Sequence, residues 1–236
     1  MGDVAVRREL VAANRILAHL GIVDGFGHVS VRDPEVPDRF LLSCLMAPAL
    51  VSESDILSLD FDGKPAAGER RRSYVERFIH AEIFRARGDV GAIVHSHSPA
   101  MIPFGVTGTR LAPIYHMAAS MGDFAPIFEI RESAGDASDM LVRDSRLGAE
   151  LARSLGPHTV VLMRGHGSTV VGRTLREAVF TAVYAEMNAR LQTTASQMGE
   201  IRFLSHGEIG AAGQVHPSQI DRAWSLWLRD AAPELG

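Results

Sequence analysis

Two short apolar runs, each opening into glycine and histidine, constrain this chain more than anything else in it. They are Gly91-Ala92-Ile93-Val94-His95-Ser96-His97-Ser98 and Val160-Val161-Leu162-Met163-Arg164-Gly165-His166-Gly167. Apolar runs this short, with a glycine beside them, read as buried strands rather than helices. Strand side chains alternate, so His95 and His97 project from one face, close enough to grip one metal ion. His166 arrives from a neighbouring strand or turn. Three imidazoles from two strand ends form an open metal site, with positions left for water or substrate. Any one of the ten histidines taken alone is more often a core or surface group than a ligand, and it is the clustering that singles out these three.

The rest of the pattern supplies the frame. Leu10, Val11, Ile16, Leu17 and Leu20 follow helical spacing, predicting a helix from Val4 to Leu20 that stops near Gly21. Residues 28–32, 39–43 and 56–60 read as short strands of an antiparallel meander, the last followed by the Asp62-Gly63 turn signal. A helix over 74–87 stops at Gly88-Asp89, just before the His95 strand, and a further strand is expected over 125–130. Helices are predicted over 138–155, over 174–197 behind the cap Thr174-Leu175-Arg176-Glu177, and over 217–228. Strands mixed with flanking helices predict an α/β fold, three layers (α/β/α) around a mostly antiparallel sheet. No linker divides the chain, so a single domain over 1–236 is expected.

Composition removes several classes of function. A net charge of -4 offers no basic stripe for a phosphate backbone, so nucleic acid is not an expected partner. No apolar stretch approaches the roughly 20 residues that span a bilayer. The lone cysteine, Cys44, cannot form an internal disulfide and has no activating neighbours, and the opening residues lack the apolar core of a signal peptide. A small-molecule enzyme of the cytoplasm is the expectation.

Glu76 stands four residues before His80, on one face of the helix expected to lead into the metal strand. Alone it would be read as a solvated helix carboxylate. Beside an open metal position it becomes a candidate acid or base.

Glu76, then His95-Ser96-His97, then His166-Gly167 and a long helix, with Gly27-His28-Val29-Ser30 near the start, resembles the class II aldolase/adducin family over nearly the whole chain. The resemblance implies an α/β/α sandwich, a homotetramer with sites at subunit contacts, and a divalent ion held by His95, His97 and His166. It also implies that Glu76 is the acid/base group. Sugar-phosphate aldolases of the family place serines before the glutamate and a Thr-Gly turn earlier to cradle phosphate. This chain has Ser73-Tyr74-Val75-Glu76 and Ser43-Cys44-Leu45-Met46-Ala47-Pro48, which leave little for a phosphate. Nineteen residues after His97 comes His116, where the fuculose-phosphate type carries a proton-donating tyrosine.

Metal, extra imidazoles and a lost phosphate cradle resemble the branch that decarboxylates hydroxylated aromatic diacids, including the dihydroxyphthalate and hydroxy-methylpyridine-dicarboxylate decarboxylases. The segments 26–34, 47–50, 95–99 and 103–108 resemble that branch best. It implies a divalent-metal-dependent carbon–carbon lyase with one ion per chain, which could be zinc, manganese, iron or cobalt. His28 and His116 would bind or protonate the substrate. The alternatives are an aldolase or epimerase of a sugar or hydroxyaldehyde, and a non-catalytic adducin-like module, which has no physical need of an open ligand set.

Other residues have ordinary readings. Arg70, Arg71 and Arg72 could hold a second carboxylate, but a solvated basic turn explains at least two of them. Tyr184 and Glu186 could reach a neighbouring subunit's site or simply pack along their helix. Trp224 and Trp227 read as a packing or oligomer seam.

Overall fold

Alternation along the strands sends apolar side chains to both faces of one sheet. Val29, Leu41, Val94, Leu162 and Val170 enter one core, while Phe40, Leu42, Ile93, Val161 and Val171 enter the other. A sheet apolar on both faces needs helices on both. The computed structural model describes residues 3–231. In chain order its elements are α1 (Asp3–His19), β1 (His28–Arg32), β2 (Arg39–Ser43), β3 (Ile56–Asp60), α2 (Arg77–Ala86), β4 (Ala92–Ser96), α3 (Ile102–Thr107), β5 (Ile127–Phe128), α4 (Arg131–Ala134), α5 (Ser145–Leu155), β6 (Val160–Met163), β7 (Gly167–Gly172), α6 (Leu175–Met198), α7 (His206–Val215) and α8 (Ile220–Asp230).

The strands form one seven-stranded sheet in the order β3-β2-β1-β4-β7-β6-β5. Every pairing is antiparallel except β5 with β6. Leu10, Ile16 and Leu17 of α1, Val179 and Phe180 of α6, and Trp224 and Trp227 of α8 fill the first core. Ile79, Ile83 and Phe84 of α2, with Leu147, Leu151 and Leu155 of α5, fill the second. The expected three-layer α/β/α sandwich is therefore the fold, and the two tryptophans are core packing.

The structure departs from the sequence reading in places that matter for the site. The helix expected over 138–155 begins only at Ser145, because the Asp144 carboxylate accepts the Leu147 N–H at 2.8 Å and caps it there. Residues before the cap form a loop in which Met140 holds φ at +69°, a left-handed conformation that a non-glycine residue rarely adopts. The helix expected over 74–87 starts at Arg77, with Glu76 at its N-cap. Of the strand expected over 125–130, Ile127–Phe128 pairs with β6 and Ala125 forms an isolated bridge with Leu111. β7, α3, α4 and α7 were not anticipated. β7 lies just past the turn at Arg164–His166, and its run Thr169-Val170-Val171 carries the β-branched signal of the returning arm of a hairpin.

β4 lies between β1 and β7, with His28 opposite His95 and His95 opposite Thr169, so these three side chains share one face. The β6–β7 turn brings His166 to the same end of the sheet. Gly165 sits in that turn at φ +66°, and a Cβ on Gly167 would collide with the Ser96 carbonyl oxygen. Glycine is thus what lets β7 close on the His95-Ser96-His97 segment.

Candidate metal centre

His95 is fully buried on β4, His97 follows the strand end, and His166 occupies the β6–β7 turn. In each ring Nδ1 is held. His95 Nδ1 lies 3.1 Å from the Ser168 carbonyl oxygen, His166 Nδ1 lies 2.9 Å from that of Met140, and His97 Nδ1 lies 3.5 Å from Asp24 Oδ2. That leaves Nε2 of each ring for the centre. His166 Nε2 is 3.2 Å from His97 Nε2, and His95 Nε2 is buried without a hydrogen-bond partner among the described residues.

Glu76 enters from the start of α2. Its Oε2 lies 3.4 Å from His166 Nε2 and 3.8 Å from His95 Nε2, while Oε1 accepts the Val142 N–H at 2.9 Å. One ligand atom from each of Glu76, His95, His97 and His166 lies within 4.8 Å of the others. Metal–nitrogen bonds of about 2.0–2.1 Å in tetrahedral geometry place ligand atoms roughly 3.3–3.4 Å apart. The observed spacings and the orphaned His95 nitrogen fit a divalent cation, and anchoring of the far nitrogen is what such imidazoles require.

Burial pushes the Glu76 carboxyl up, but the imidazoles of His166 and His95 and the Val142 N–H outweigh it and hold it at about 2. Burial pushes His166 down, and the Glu76 carboxylate more than restores it, leaving it above its ordinary value. At Asp24 burial is outweighed by the Phe26 N–H and by His97, so that carboxyl sits below its usual range.

His28 lies beside this group, its ring 4.8 Å from that of His95 and 4.6 Å from that of Tyr74. Its Nδ1 pairs with His80 Nε2, and His80 Nδ1 pairs with Ser30 Oγ. Glu76 and His80, four residues apart, are not joined by a hydrogen bond, because both nitrogens of His80 are engaged elsewhere. The Tyr74 hydroxyl is engaged with Ser43 and the Met46 carbonyl.

The remaining sequence candidates fall away from the cluster. His116 is exposed at the start of a short 3-10 helix, beside the Tyr115 ring, and is not among the clustered ligands. Arg70, Arg71 and Arg72 are exposed, with Arg71 paired to Glu69. Burial raises the Cys44 thiol, in keeping with an inert residue. Glu186 reaches inward within its own chain: its carboxylate is buried, accepts from Ser98 and pairs with Arg190 at 2.9 Å. It thereby fixes the residue after His97. Tyr184 packs against Phe180 and Trp227. Sequence reasoning missed Asp24, although an aspartate opening Asp24-Gly25-Phe26-Gly27 is an Asx-turn signal and its carboxylate does accept the Phe26 N–H at 2.8 Å. The main-chain contributions of Met140, Val142 and Ser168 carried no residue-type signal.

The buried imidazoles make acid stability a test of this arrangement. Burial pushes His28, His80 and His95 down, His80 to about 3. A histidine that is neutral when folded takes up a proton on unfolding below its ordinary pKa of 6.5. Its contribution is complete above that pH and is lost as pH falls toward the folded value. Each such group should lower unfolding free energy by about 1.4 kcal/mol per pH unit across that window. Urea titrations of metal-free protein at pH 7.5 and 5.0 should show the loss; equal stabilities at the two would contradict the buried neutral rings.

Comparison with known proteins agrees with this fold. Residues 8–193 match the model of the "Class II Aldolase and Adducin N-terminal domain". The chain is 35% identical to decarboxylase tropJ of Talaromyces stipitatus, over 94% of this chain and 92% of that protein. It is 34% identical to the 3,4-dihydroxyphthalate decarboxylase of Arthrobacter keyseri, over 82% of this chain and 79% of that one. Among solved structures, the L-fuculose 1-phosphate aldolase of Glaciozyma antarctica superposes with a TM-score of 0.77 at 26% identity, covering 96% of this chain and 88% of the other. With its sheet, its helical layers and its histidine–glutamate cluster, this chain belongs to the class II aldolase and adducin family.

Proposed function

We propose that the protein is a divalent-metal-dependent carbon–carbon lyase that removes carbon dioxide from a hydroxylated aromatic or heteroaromatic acid. One observation carries the metal requirement: three imidazoles whose Nδ1 atoms are tied down converge through Nε2 on one point beside Glu76. The choice of decarboxylation is supported by the relatives named decarboxylases, which the chain matches over most of its length.

His95, His97 and His166 would hold one ion per chain, and imidazole with carboxylate suits zinc, manganese, iron or cobalt. Bound there, the ion supplies a Lewis acid for a ring hydroxyl and its neighbouring carboxylate. When the bond to the carboxylate breaks, its electron pair stays on the ring carbon and one proton must reach that carbon. Glu76 stands where it can hold and move that proton. His28 borders the same space and contacts the substrate. His116 lies outside the cluster of its own chain, so its part in proton delivery requires a neighbouring subunit. We take the site to lie at a contact in a homotetramer; Met187, Leu191 and Met198 expose apolar surface on α6 that such contacts would cover. We take the helices beyond residue 193 as part of the same single domain (1–236), since α8 fills the first core. Among the described residues no helix is long and apolar enough to cross a membrane, and we place the enzyme in the cytoplasm.

Metal analysis and carbon dioxide release from a panel of ortho-hydroxy aromatic acids test the reading directly. About one divalent ion per chain and release from at least one acid are expected. Aldol cleavage of a sugar phosphate with no release from any acid would move the chain to the aldolases. No bound or stimulating metal would leave only an adducin-like module.

A further inference from the structure

Beside the metal cluster, Ser30, His80 and His28 form a closed line of polar groups. Ser30 Oγ lies 2.6 Å from His80 Nδ1, and His80 Nε2 lies 2.6 Å from His28 Nδ1. Ser30 and His80 are fully buried and His28 is 2% exposed. Phe40 stacks against His80 and Tyr74 packs on His28.

Counting hydrogens gives this line a direction. Each link holds one proton, donated from one side only. Ser30 Oγ has no other hydrogen-bond partner among the described residues. If it accepted from His80, its own O–H would be buried without an acceptor, which native interiors rarely tolerate. Ser30 therefore donates to His80 Nδ1, and His80 donates from Nε2 to His28 Nδ1. A doubly protonated His80 would escape this logic, but complete burial keeps that ring neutral, at about 3. A neutral His28 that accepts at Nδ1 must carry its hydrogen on Nε2. Nε2 is also the nitrogen that makes no hydrogen bond within the described chain.

We propose that Ser30 and His80 are positioning residues that lock His28 in the Nε2–H tautomer, making it a neutral hydrogen-bond donor to an anionic oxygen of the substrate. His28 then binds the acid and is no base, because Nδ1 is occupied and Nε2 already carries its proton. The substrate's identity as an aromatic carboxylate rests on the decarboxylase reading; the tautomer does not.

The test uses zinc-loaded protein with nitrogen-15 histidine and two-bond proton–nitrogen correlations at neutral pH, which separate the neutral tautomers. His28 should show a protonated Nε2 and a bare Nδ1; the reverse pattern, or an average of the two, overturns the proposal. Ser30→Ala should shift His28 toward a mixture and weaken binding of 2-hydroxybenzoate in proportion to the Nε2–H fraction lost, about twofold for an even mixture. Its zinc content should not change, and Ser30→Thr should restore both readouts. An unshifted His28 or unweakened binding in Ser30→Ala would overturn the positioning role. The wild-type spectrum decides the tautomer without any variant. Failure of every acid to release carbon dioxide, with His28 still protonated on Nε2, would sink the decarboxylase reading and leave the tautomer assignment standing.

Discussion

His95→Ala protein should emerge from purification without its divalent ion and with carbon dioxide release reduced by at least about 10³-fold, since Lewis-acid stabilisation is worth several kcal/mol. His95 is the fully buried member of the histidine cluster, and its Nε2 has no hydrogen-bond partner among the described residues. Removing the ring takes a ligand from the middle of the site, where solvent is least able to replace it. Elemental analysis and turnover on the same preparation check this. Stoichiometric metal held tightly by the variant would show that the ion, if any, binds elsewhere.

Glu76→Gln should behave differently. The amide oxygen can still accept the Val142 N–H that Glu76 Oε1 accepts at 2.9 Å, so the start of α2 should survive. The ion, held by three imidazoles, should remain. Turnover should fall by about 10²–10⁴-fold, the range for removing a positioned acid or base. Unchanged turnover would remove Glu76 from the chemistry. Loss of the ion in this variant would instead make Glu76 a ligand and shift the proton work to His116.

How much of this was legible in the sequence differs from residue to residue. His95, His97 and His166 were readable because strand alternation and glycine turns are local properties, and those alone brought the three rings to one end of the sheet. The layer order followed from apolar periodicity in the same way. Boundaries were less readable where a side chain competes with helix formation: Asp144 caps α5 several residues later than periodicity suggested, which frees the loop carrying Met140 and Val142. The partners of His80 were not readable, because helical spacing predicts only neighbours along the helix. Its actual partners, His28 and Ser30, lie about fifty residues away on β1. His116 stands outside the cluster, and a single chain gives no means of bringing it closer.

The shorter tether on His95 and the tether on His166 are both peptide oxygens, from residues 168 and 140. A peptide oxygen is present whatever side chain its residue bears. Orientation of two of the three imidazoles is therefore inherited through the path of the backbone, and substitutions at 168 and 140 that keep this path can accumulate without tilting either ring. The tethers that a single side-chain exchange can remove are Asp24 on His97 and the longer 3.4 Å contact of Thr169 Oγ1 with His95 Nδ1. A scaffold built this way can alter the residues around the histidine cluster while the cluster itself stays constant, which suits a family with relatives named both aldolase and decarboxylase.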